Sequence, residues 1–121
     1  MEQAGNSARE PSLALLTTCA IDIESTATCV RVSLMGELDT VDSGEVSRLL
    51  YDAATAGKPV VRLDLSGLTF ADSSAISAIL LCAQAAERNG ATLQIVNPRP
   101  RLQHLFDITG LSQAFNVMHE S

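Results

Sequence analysis

The sequence has no paired-cysteine spacing, no long apolar run, no glycine-rich phosphate loop and a shortage of positive charge. Each lack removes a class of function. Cys19, Cys29 and Cys82 are odd in number and form no C-x-x-C pair, which argues against a disulfide framework or a zinc site and leaves three small core residues in a reducing compartment. No apolar run approaches the ~20 residues that cross a bilayer. The polar residues 1–10 lack the apolar stretch that a signal peptide carries behind a basic start, so the cytoplasm is the expected home. Eight Lys and Arg stand against 14 Asp and Glu, a net charge of −6. Nucleic acid and anionic membrane surfaces would be repelled, and a protein with a basic face is the expected partner. Neither Ser73 nor Ser74 sits in the G-x-S-x-G elbow that a serine hydrolase needs around its nucleophile, and His104 and His119 suggest no triad. No catalytic residue, cofactor or metal is therefore expected.

What is there is a chain of 121 residues, 46 % hydrophobic, enough for one compact domain. Residues 1–11 read as a flexible leader and 12–121 as the domain. Residues 13–23 suggest a first strand and 28–35 a second, in which Val30, Val32 and Leu34 alternate with Arg31 and Ser33. After Gly36-Glu37-Leu38-Asp39, Asp42 is placed to cap a helix with Glu45 three residues on, and Val46, Leu49, Leu50 and Ala53 form its buried stripe. Gly57 and Pro59 stop that helix. Residues 60–65 predict a strand, 66–71 a turn, and Asp72 opens a second helix with Ile76, Ile79, Leu80 and Ala83 inward, ended by Asn89-Gly90. Residues 91–96 are a further strand, completing a parallel βαβ unit with a right-handed crossover. Asn97-Pro98 opens a short third helix with Leu102, Leu105 and Phe106 inward, closed by Gly110, and residues 114–118 are the last strand candidate. The sum is an α/β fold: a mixed central sheet of about five strands with helices packed mainly on one face.

The strand–turn–helix joint is the candidate site. Asp72 at the N-cap accepts hydrogen bonds from the first-turn amides and complements the helix dipole. Ser73 and Ser74 follow at the first two helical positions, where a hydroxyl can stand exposed and carry a phosphate that the same dipole welcomes. The same three residues also read as a cap and nothing more. At 100° spacing Ser73, Ser77, Gln84 and Arg88 share an outward arc. Ala78, Leu81 and Ala85 lie on the neighbouring arc, where they either supply the apolar part of an interface or pack inside. Asp39 likewise reads as a turn residue or as part of a binding surface.

Taken together, Gly36-Glu37-Leu38-Asp39, Leu63-Asp64-Leu65-Ser66, Phe70-Ala71-Asp72-Ser73-Ser74, and Gly110-Leu111 with Phe115 resemble the STAS domain family in its small bacterial form, the anti-sigma factor antagonist. The resemblance covers about residues 13–118. It implies a protein that, when unphosphorylated, binds an anti-sigma factor with serine/threonine kinase activity and so frees a sigma factor, phosphorylation ending the binding. Ser73, the first serine after the aspartate, would be the phosphoacceptor. Asp39, Asp72, Ser73, Ser74, Ser77 and Leu81 would form the partner-binding surface, on a monomer or weak homodimer. One departure stands out: Ala75 occupies the position after the two serines where the family usually has glycine. The other role open to the fold is a non-switching adaptor subunit of a stress-signalling or transport complex.

Overall fold

A computed structural model describes residues 12–120; the expected leader, residues 1–11, lies outside the described residues. In chain order the elements are β1 (Ser12–Leu15), β2 (Cys19–Ser25), β3 (Cys29–Leu38), α1 (Thr40–Ala54), β4 (Val60–Ala71), α2 (Ser73–Arg88), β5 (Thr92–Val96), α3 (Pro100–Thr109), α4 (Leu111–Ala114) and β6 (Asn116–Met118). The six strands lie in one mixed sheet in the order β1-β2-β3-β4-β5-β6. The β1–β2 and β2–β3 pairings are antiparallel, and β3, β4, β5 and β6 run parallel to one another. Because each parallel strand is added on the same side of its predecessor, crossovers of the one favoured hand send α1 and α2 to the same face.

That face is the core. Along β4 the side chains of Val61, Leu63 and Leu65 are buried. The register sets Val30 and Leu93 beside Val61, and Val32 and Ile95 beside Leu63. Each such side chain contributes about 1.5–3 kcal/mol when fully removed from water, so these rows fix the register: a slip of one residue would turn every one of them outward. The opposite face is polar. Arg31 and Arg62 are register partners, and the like charges are separated in use: Arg31 pairs with Asp64 at 2.7 Å and Glu120 at 3.1 Å, whereas Arg62 donates to Gln94 at 2.7 Å.

Several boundaries differ from the sequence expectations, each for a physical reason. Residues 13–23 form two strands, because the chain folds back at Leu16-Thr17-Thr18, where Leu16 N–H donates to the Cys19 carbonyl at 2.9 Å. Among the described residues the sheet consequently has six strands. Residues 66–71 are not a turn: β4 continues to Ala71, paired with β3 as far as Leu38. Two register shifts, between Ser33 and Met35 and between Gly36 and Glu37, each give β4 one residue more than β3, so Leu65-Ser66 form a bulge against Leu34 and Thr69 is the extra residue of a second. The third helix begins at Pro100 in the first turn, where a missing N–H costs nothing, rather than at Pro98. The last strand begins at Asn116, because residues 111–114 complete a helical turn.

Helix α2 turns a different face inward than its largest residues suggest. Ala75, Ala78, Ile79, Cys82, Ala85 and Ala86 are buried, whereas Ile76, Leu80 and Ala83 are only partly so. Small side chains let α2 approach its neighbours closely; the Cys82 thiol reaches the Leu50 carbonyl of α1 at 3.7 Å. Burial pushes that thiol's pKa up to about 11, which leaves it a core residue. The three cysteines are all free.

Candidate functional site

Two equivalent strand-to-helix junctions lie side by side. β3 and β4 end in register at Leu38 and Ala71, the Asp72 N–H donates to the Leu38 carbonyl at 3.3 Å, and the next residue in each strand is an aspartate that caps a helix. Asp39 accepts from Val41 N–H at 3.0 Å and so is the cap of α1. Asp72 accepts from Ser74 N–H at 3.0 Å and Ala75 N–H at 3.1 Å, and caps α2. Parallel strands make parallel helices, so both positive helix ends open on one rim, each met by a carboxylate.

The two serines after Asp72 differ in their freedom. The Ser74 hydroxyl donates to Asp72 Oδ1 at 2.6 Å and is half-buried. That bond above all, with the amides of Ala75, Ser74 and Thr40, holds the Asp72 carboxyl below the ordinary carboxylate range against the opposing effect of burial. Ser73 is exposed, and the hydrogen bonds among the described residues leave its hydroxyl out. The Ala75 side chain is fully buried, so its methyl faces the core and leaves the rim around Ser73 unaltered.

Of the residues expected at a partner surface, Ser73, Ser77 and Leu81 follow at i, i+4 and i+8 and are all exposed, which puts them on one stripe of α2. Leu81, 55 % exposed, shares a hollow of about 360 Å³ with Tyr51, Gly44 and Arg48 of α1. The neighbouring arc divides: Leu81 is outside, whereas Ala78 and Ala85 are buried and contribute to packing alone. Gln84 and Arg88 are exposed, farther from the rim.

Asp42 does not cap α1. The helix begins two residues earlier, at Thr40, and Asp42 is a buried charged residue inside its first turn. Its carboxylate reaches the β1–β2 turn, where Oδ1 accepts from Thr17 N–H at 3.1 Å and Oδ2 from the N–H groups of Thr18 at 2.7 Å and Cys19 at 2.9 Å. Burial would raise this carboxyl, but the amides of Thr18, Thr17 and Cys19 prevail and hold it below the usual range. Gly36 completes the joint: its φ is +93° and a Cβ there would lie 2.6 Å from the Thr18 carbonyl oxygen, so only glycine lets β3 pass so close.

Thr40 is the residue that sequence reasoning missed. It stands exposed at the first position of α1, as Ser73 does in α2. The signal was the repeated pattern Leu38-Asp39-Thr40 and Ala71-Asp72-Ser73, which assigning the cap to Asp42 concealed. Among the described residues no group of three His, Cys, Asp or Glu is placed to hold a metal, and no helix is long and apolar enough to cross a membrane.

Capping and charge at Asp39 can be separated by experiment. Asp39→Ala removes the α1 cap and is expected to cost about 1 kcal/mol in urea unfolding, and Asp39→Ser, which caps without charge, only a few tenths. Equal losses for the two would show that the carboxylate charge, not the cap, stabilises the helix.

The sequence model of the family described as "Mlab, STAS domain" matches residues 21–119. The anti-sigma-B factor antagonist of Bacillus subtilis (strain 168) is 25 % identical over 101 residues, which cover 84 % of this chain and 92 % of that protein. Among solved structures, the crystal structure of an anti-sigma factor antagonist from Mycobacterium paratuberculosis superposes with a TM-score of 0.75 at 19 % identity, covering 86 % of this chain and 90 % of the other. The anti-sigma factor antagonist SpoIIAA is similar in its unphosphorylated form, with a TM-score of 0.69 at 20 % identity over 93 % of this chain and 89 % of the other. Its phosphorylated form, described as a Bacillus cell fate determinant, gives 0.66 at 21 % over 93 % and 92 %. These structural likenesses concern the fold.

Proposed function

The chain belongs to the STAS domain family, and from that premise we propose that it is an anti-sigma factor antagonist: a regulatory binding protein, not an enzyme, that holds an anti-sigma factor and so frees a sigma factor. Binding is switched off by phosphorylation of Ser73, carried out by the anti-sigma factor acting as a serine/threonine kinase. The observation that carries this reading is the exposed Ser73 hydroxyl at the first turn of α2, beside a neighbouring serine whose hydroxyl Asp72 already occupies. The names of the Bacillus relative and of the two forms of SpoIIAA support the same role and the same kind of modification.

The physical basis of the switch is charge. A phosphate brings about −1.5 to −2 charges at neutral pH to a rim that already carries Asp39 and Asp72. The helix ends accept that charge without unfolding. A partner that docks on the two carboxylates, Ser77 and Leu81 then meets an excess of negative charge that it must desolvate.

The test is incubation with a cognate kinase and ATP, followed by intact mass. One added phosphate is expected on the natural chain and none on Ser73→Ala. Uptake by Ser73→Ala would move the acceptor to another hydroxyl, and no uptake by either would favour the non-switching adaptor subunit.

A further inference from the structure

Beside the end of β4 lies a cavity of about 500 Å³, bordered on its other side by α3. Its floor is Leu68 and Leu102, both buried, and its walls are Phe70, Leu105 and Ile108. Phe70 and Ile108 are 46 % and 66 % exposed, an apolar surface that costs free energy while it faces water. The volume falls in the range of sites that hold one small molecule.

The rim has one sign of charge. Arg99 and Arg101 supply it at the opening, which His104 also lines. Among the described residues that line the cavity none is acidic, in a chain whose Asp and Glu outnumber its Lys and Arg by 14 to 8. The nearest carboxylate on the same helix, Asp107, is already taken up by Gln103 and Ser112. Arg99 holds the Ser66 carbonyl with one guanidinium nitrogen at 3.2 Å, which positions the side chain at the mouth and leaves its other nitrogens as donors. The polar groups that would read a base or a sugar are scarce: the Thr69 hydroxyl is spent on the Gly36 carbonyl at 3.0 Å. An apolar interior under a cationic rim fits a ligand with an apolar body and one acidic head.

We propose that the cavity between the end of β4 and α3 is a binding site for a small anionic amphiphile, with Arg99 and Arg101 on the acidic group and Leu105, Ile108 and Phe70 around the aliphatic chain. No residue of α2 lines it, so the site adjoins the Ser73 rim without overlapping it, and it stands or falls apart from the proposed switch.

The probe is decanoate, titrated into the full chain below its micelle concentration and followed by amide chemical shifts. Saturable shifts confined to residues 68–71 and 99–108, with a Kd on the order of 0.1 mM, are expected for a ligand of this size. Decyltrimethylammonium, the same chain with a cationic head, is expected to bind at least about tenfold more weakly. Ile108→Glu and Arg101→Glu both change exposed residues and are expected to weaken decanoate binding about tenfold with the melting temperature unmoved. Equal binding of the two head groups, or shifts spread over α1 and α2, would mean adventitious apolar contact and overturn the proposal. So would a cavity that gives no saturable shift.

Discussion

Ser73→Asp is expected to lower affinity for the cognate anti-sigma factor at least about tenfold while the melting temperature stays within about 2 °C of the natural chain. The two halves of this result have separate causes. Ser73 is exposed and its hydroxyl supports nothing else in the fold among the described residues, and a carboxylate at the first position of a helix is favourable to the dipole, so folding has no reason to suffer. A docking partner meets a third negative charge beside Asp39 and Asp72, and tenfold corresponds to about 1.4 kcal/mol of repulsion and desolvation. Ser74→Asp provides the contrast: its hydroxyl bonds to Asp72, so a carboxylate there would oppose the cap and lower stability as well. Calorimetric titration and thermal melts of the pair separate a binding switch from a structural residue. If Ser73→Asp binds as tightly as the natural chain, charge at this position does not govern association.

The largest stability effect is expected at Asp42. Replacing it with Asn puts an amide NH₂ opposite donors that one carboxylate oxygen now satisfies. At pH 7 the melting temperature should fall by roughly 10 °C. The pH dependence has a definite sign. The folded-state pKa lies below the unfolded one, so this carboxylate's contribution is fully present above the unfolded carboxylate range. It is lost as pH falls through the folded value. The gap between the natural chain and Asp42→Asn should therefore close as the pH is lowered below about 4. A gap that persists unchanged at pH 2 would mean that shape, not ionisation, matters at this joint.

Much of the architecture is legible without coordinates because its signals are local. Alternation of Val30, Val32 and Leu34, the cap at Asp72 and the stops at Gly57, Gly90 and Gly110, all at positive φ, act within a few residues of themselves. What escapes is what depends on distance. The break between β1 and β2 is held by Asp42, more than 20 residues away, and an acidic residue near a helix start reads as a cap when its remote donors are unseen. The length of β4 depends on β3, whose pairing turns residues 66–71 from a chain reversal into bulged strand. The inward face of α2 follows from how closely α1 and the sheet approach, which sets Ala75, Ala78, Ala85 and Ala86 beside Ile79 and leaves Ile76 at its margin. At the site, Asp72 and Ser73 are readable, whereas Asp39 as a cap and Thr40 as the counterpart of Ser73 emerge only when the two strand ends are seen in register.

The strand order carries a consequence for how the chain is made. Every strand neighbours the one synthesised just before it, so as the polypeptide leaves the ribosome each new edge is complete before its partner arrives. The β1–β2–β3 meander pairs its strands from its own residues, its first turn is pinned by Asp42 once α1 follows, and each later helix and strand adds to a template already in place. Among the described elements no late segment has to be inserted between early ones, and the sheet's widest pairing, β3 with β4, becomes available as soon as β4 is clear of the ribosome.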